Sequence, residues 1–186
     1  MNIKTVLPLI ALMGATRMHH FGDAFSLPDA SLAVFFLAGL FFSSRAFFVA
    51  LLLEAGLLDY VAISHLGVSD FCISPAYVFL IPTYFAMWFA GRLSAKFKSM
   101  QGTELTLSIP AMATLFASTT TAFLISNGSF YWLSGKFPQA DLMQYVERIS
   151  HYYPSYIGYA LMYVIVGFAT AKVIKMLPDL MANKTA

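Results

Sequence analysis

The chain reads as an all-α integral membrane protein, and three features of the sequence predict that class. Of its 186 residues, 59% are hydrophobic and only 11% are charged, against about 25% charged in ordinary soluble domains. The apolar residues gather into long runs, several near the roughly 20 residues that a helix needs to cross the hydrocarbon core. No Gly/Ser linker, charge block, internal repeat or low-complexity tract divides residues 1–186. A single transmembrane domain is therefore expected.

Taken in order, the first run covers residues 3–18. Its lysine, apolar stretch and small residues also resemble a signal peptide, and it is read as the first span. Between Asp29 and Asp59 the apolar stretch is too long for one ordinary span, and Ser43-Ser44-Arg45 interrupts it. A charge at bilayer depth is costly, so the stretch is split at Arg45 into spans near 30–43 and 46–63. Three more runs give spans near 75–91, 105–126 and 155–175. After Pro138, apolar residues recur at Leu142, Tyr145, Val146, Ile149, Tyr152 and Tyr153, which is helical spacing. Asp141, Gln144, Glu147, Arg148 and His151 form the opposite face, so 138–153 is expected to be an amphipathic helix in an outer loop. Pro28, Pro75 and Pro154 are read as helix starts, where a missing N–H costs nothing. Pro8, Pro82 and Pro110 fall inside spans and are expected to bend them.

Charge sets orientation through the positive-inside rule. Six spans with both termini inside put eight basic residues on the inner face: Lys4, Arg45, Arg92, Lys96, Lys98, Lys172, Lys175 and Lys184. Arg17, Lys136 and Arg148 fall outside. Five spans with an outer N-terminus satisfy the rule almost as well. The two arrangements differ in one useful respect: six spans bring His20, Asp59, Cys72, Tyr77 and Arg148 to one side, whereas five separate His20 from Cys72.

Cys72 is the only cysteine, so an intrachain disulfide and a Cys-pair zinc site are excluded. A lone thiol is often a small hydrophobe in the core. Next to Asp70 and ahead of a proline-started helix, it is also a candidate ligand for a soft metal or a reactive group. His19 and His20 follow the first span; neighbours on a helix point about 100° apart, so one of them is expected to face a cavity, interfacial snorkelling being the alternative. Asp59 and Arg148 suit amides or a phosphate, Arg148 through its planar fork, or they form a structural pair. Glu54 lies mid-span, where acids are functional candidates, although pairing with Arg45 or a Thr cluster would also explain it. Ala11 and Ala15 form a small-xxx-small pair that permits close helix contact. The net charge of +2 is too small and scattered for nucleic acid. No phosphate-binding G-x-x-x-x-G-K-[ST], G-x-S-x-G or H-E-x-x-H motif occurs, so ATP hydrolysis and common hydrolase chemistry lack support.

The segment Thr16-Arg17-Met18-His19-His20-Phe21-Gly22, the stretch from Leu27-Pro28-Asp29 to Leu37-Ala38-Gly39, and Asp70-Phe71-Cys72 with Tyr77 after it resemble the BtuM family. These are small bacterial inner-membrane proteins, predicted vitamin B12 transporters related to the S-components of energy-coupling factor transporters. The resemblance covers nearly the whole chain. It implies a six-helix bundle with both termini cytoplasmic and a periplasmic pocket, and so favours six spans over five. It implies cobalamin or cobinamide as ligand, His20, Asp59, Cys72, Tyr77 and Arg148 as pocket residues, and Cys72 as axial ligand to the corrinoid cobalt. Ala11 and Ala15 match the pattern through which S-components contact a transmembrane partner, so an energy-coupling module supplied by other chains is an expected partner beside the lipid bilayer. On this basis the protein is primarily a transporter, and Cys72 is a candidate for removing cyanide from cyanocobalamin. A membrane thiol enzyme acting on another substrate, an S-component for a smaller vitamin, and a purely structural subunit are the competing readings.

Overall fold

The computed structural model describes residues 3–18, 27–42, 44–101 and 108–182, with the backbone alone for 3–5, 97–101 and 174–182. These residues form six α-helices: α1 (Ile3–Arg17), α2 (Ser31–Phe41), α3 (Arg45–His65), α4 (Leu80–Gln101), α5 (Ile109–Leu133) and α6 (Leu142–Ala182). A short 3-10 turn, Pro75–Phe79, leads into α4. By length and composition four stretches can cross a membrane: Arg45–His65, Pro75–Lys96, Ile109–Leu133 and Leu142–Val173. The two N-terminal helices are apolar but shorter.

Helix α2 is the axle of the bundle. Its 11 residues extend about 16 Å at 1.5 Å per residue, roughly half the hydrocarbon thickness. Eight of them are buried, because α1, α3, α4 and α6 all pack around it. The tightest of these crossings is with α4. A Cβ added at Gly39 would collide with the Trp88 carbonyl, and one at Gly91 with the Phe36 carbonyl. Glycine at both positions thus lets two backbones touch, as small residues do in membrane helix pairs. Phe35 stacks on Tyr84 at 4.3 Å and 6° across the same interface.

The split at Arg45 corresponds to the break between α2 and α3, where the Ser44 hydroxyl accepts a hydrogen bond from the Phe47 N–H and caps α3. Elsewhere the structure corrects the expected boundaries. The span expected at 105–126 is Ile109–Leu133: Pro110 lies in its first turn rather than bending its interior. Asn127-Gly128-Ser129, just beyond the expected end of this span, is helical. Gly128 lies under Tyr145, whose hydroxyl would be 3.0 Å from a Cβ there, so this glycine makes room for α6. Further, the separate outer-loop helix at 138–153 and the span at 155–175 are one helix of 41 residues, α6. Pro154 lies inside it rather than at its start. Packing overrides the proline: Tyr153 and Tyr156, on either side of it, both lie edge-on to Phe123 of α5, at 5.2 and 5.1 Å. At about 62 Å, α6 is twice the hydrocarbon thickness.

Candidate functional site

A cavity of about 670 Å³ opens at the end of the bundle where α1 and α3 finish and α2 and α4 begin, closed on its far side by α5 and α6. Its floor is built around Arg17. Only 6% of this side chain is exposed, and a buried cation is tolerable only when paired and fully hydrogen-bonded. Arg17 meets Asp59 in a bidentate fork, Nε to Oδ1 at 2.6 Å and Nη2 to Oδ2 at 2.7 Å. Its Nη1 donates to the Tyr84 hydroxyl at 2.7 Å, to Ser31 Oγ at 2.9 Å and to Asp29 Oδ2 at 3.4 Å. Asp59 accepts in addition from the Tyr77 hydroxyl at 2.5 Å. Asp29 accepts from the Ser31 N–H and hydroxyl, which places a carboxylate at the positive end of the α2 dipole. One guanidinium thus ties together α1, the start of α2, α3 and α4. Two carboxylates against one cation leave the floor formally acidic.

The opposite wall is basic. Arg148 donates from Nε to Asn127 Oδ1 at 3.0 Å. Its guanidinium carbon lies 4.8 Å from the centroid of Tyr152, 5.3 Å from Phe137 and 5.7 Å from Phe130, within the range of cation–π attraction. Lys136 lies over Phe71 at 5.2 Å. Cys72 lies in the loop between α3 and the 3-10 turn. It is a free, half-buried thiol that lines the cavity. Burial pushes this thiol above its ordinary pKa, and the negative charge of Asp59 pushes the same way. Arg148 and Lys136 pull against them.

Four of the five expected pocket residues, Asp59, Cys72, Tyr77 and Arg148, therefore line one cavity. His20, with His19, lies outside the described residues. Asp59 and Arg148 do not pair with each other; each has a different partner. Ala11 and Ala15 are exposed on the outer surface of α1. Glu54 is half buried and does not line the cavity, and it pairs with neither Arg45 nor a Thr hydroxyl among the described residues. His65 and His151 are exposed. No group of three His, Cys, Asp or Glu side chains able to hold a bare metal ion occurs among the described residues.

Sequence reasoning missed Arg17, Asp29 and Tyr84, which complete the floor. The charge pattern alone gives Arg17 only as an outer positive charge. A usable signal was present: an arginine ending one apolar run and aspartates beside two others must find partners if the runs pack together. No protein-family model matches the chain, and comparison with curated proteins finds no similar relative.

Proposed function

We propose that this protein binds cobalamin at the outward, periplasmic mouth of a six-span bundle in the bacterial inner membrane and takes it up, with Cys72 ligating cobalt. One observation carries the reading: Cys72 faces a cavity of about 670 Å³ together with Asp59, Tyr77 and Arg148. That volume lies within the ~300–1,000 Å³ typical of small-molecule pockets and is smaller than a complete cobalamin. The ligand would enter with the corrin ring against Cys72 and leave its remainder at the mouth. The acidic floor and basic wall suit a ligand rich in amide side groups, which donate toward Asp59 and accept from Arg148.

Ligand exchange at cobalt balances without redox chemistry. The Cys72 thiol gives a cobalt–sulfur bond, the cobalt–cyanide bond breaks, and cyanide leaves with the thiol proton as hydrogen cyanide; cobalt stays trivalent. A raised thiol pKa favours this reading over a membrane thiol enzyme. A free nucleophile needs its thiolate stabilised by its surroundings, whereas a metal deprotonates the sulfur it binds. The exposed Ala11 and Ala15 on α1 are the contact offered to an energy-coupling module of other chains. The test is an absorption spectrum of the purified protein mixed with cyanocobalamin. A shifted corrin band with one equivalent of cyanide released, both lost in Cys72→Ser, is expected. An unchanged spectrum, or an identical shift in Cys72→Ser, removes the proposal.

A further inference from the structure

Beside the inner cavity lies a second, more open hollow of about 590 Å³, walled by Tyr131, Phe137, Gln144 and His151 among others. Arg148 and Tyr152 line both hollows, so the two meet at one guanidinium. That group is fixed in place by Asn127 on Nε and by the ring of Tyr152 at 4.8 Å. Among the described residues its two terminal nitrogens donate to no group and no carboxylate forms an ion pair with it, although Glu147 is its neighbour in the chain. An arginine held rigidly with its fork unused is the arrangement that recognises a tetrahedral anion through paired N–H donors.

We propose that the Arg148 junction and the outer hollow form a subsite for a phosphate diester carrying an aromatic base. The phosphate lies on the Arg148 fork, and the base lies against Phe137 and the exposed ring of Tyr152, which line the same hollow. This rests on the cobalamin reading and deepens it, because the inner cavity is too small for the whole ligand. The nucleotide arm of cobalamin has this chemistry; cobinamide lacks the phosphate, sugar and base. A phospholipid headgroup is the other source of a phosphodiester.

The test is calorimetric titration of the full chain, in maltoside detergent and in phospholipid nanodiscs, with cobalamin and with cobinamide. Wild type is expected to bind cobalamin more tightly by roughly tenfold to a hundredfold, the worth of a charge-assisted contact. Arg148→Gln should close that gap. Ser150→Trp, at the exposed rim of the outer hollow, should close it by obstruction while cobinamide binds as in wild type. Equal affinity of the two corrinoids in wild type overturns the inference. So does a gap that persists in Arg148→Gln, or phospholipid retained through purification by wild type and lost from Arg148→Gln with both corrinoids bound equally. If cobinamide also fails to bind wild type, it is the underlying cobalamin reading that falls.

Discussion

Replacing Arg17 with Gln should destabilise the protein by about 3 kcal/mol. Removing one partner of a buried ion pair costs roughly 3–5 kcal/mol, because it strands the other charge. The lower end applies here, since Asp29 and Asp59 keep 22% and 19% of their side chains exposed. Two carboxylates would then share the floor without a counter-charge, and the Tyr84 and Ser31 hydroxyls would each lose a charged donor. For a chain of this size, about 3 kcal/mol corresponds to roughly 6–12 °C in melting temperature. Fluorescence of Trp88 and Trp132 during thermal unfolding in detergent measures it. The double variant Arg17→Met with Asp59→Leu should recover at least about 1 kcal/mol relative to Arg17→Gln, because it removes the more closely paired of the two stranded carboxylates and leaves only Asp29. A loss below about 1 kcal/mol in Arg17→Gln, or strictly additive effects across the cycle, would show that Arg17 does not organise the floor.

Gly39→Ala and Gly91→Ala should each cost about 1–3 kcal/mol in the same unfolding assay, since the new methyl meets a backbone carbonyl that cannot rotate away. Cys72 should react with maleimide along a pH profile whose midpoint lies above the ~8.5 of an ordinary thiol, and Lys136→Gln should move that midpoint further up by removing a nearby cation. Because the folded thiol holds its proton more tightly than the unfolded one, its contribution to stability is fully present below the ordinary thiol range. It is lost as pH rises through the folded value, and Cys72→Ser should flatten that alkaline decline in melting temperature. Pro154→Ala should raise stability by about 1 kcal/mol or more, since α6 is continuous there and the alanine restores a backbone donor and relieves a ring clash.

Hydrophobic runs and the cost of a mid-membrane charge were enough to predict most helices and the turn before Arg45. They did not predict that α6 runs through Pro154, because the two tyrosine contacts with Phe123 that hold it join residues 30 or more apart in sequence. Likewise Asn127-Gly128-Ser129 carries turn residues whose meaning depends on Tyr145 pressing against Gly128. Cys72, Asp59, Tyr77 and Arg148 could be named in advance by residue type and resemblance. Arg17 could not be assigned its role that way: what makes it the centre of the floor is convergence of Asp29, Asp59 and Tyr84 from three other elements. Asp59 illustrates the limit well, since its partner among the basic residues was decided by packing and not by charge.

An 11-residue α2 enclosed by its neighbours has a consequence for biogenesis. A segment about 16 Å long cannot reach both headgroup layers, so it gains nothing by entering the bilayer as an independent helix in the first stage of membrane assembly. It must be carried in as one arm of a hairpin with α3 and find shelter only when α4 and α6 arrive. Until then Phe35 and Phe36 await a jacket that is synthesised later than they are.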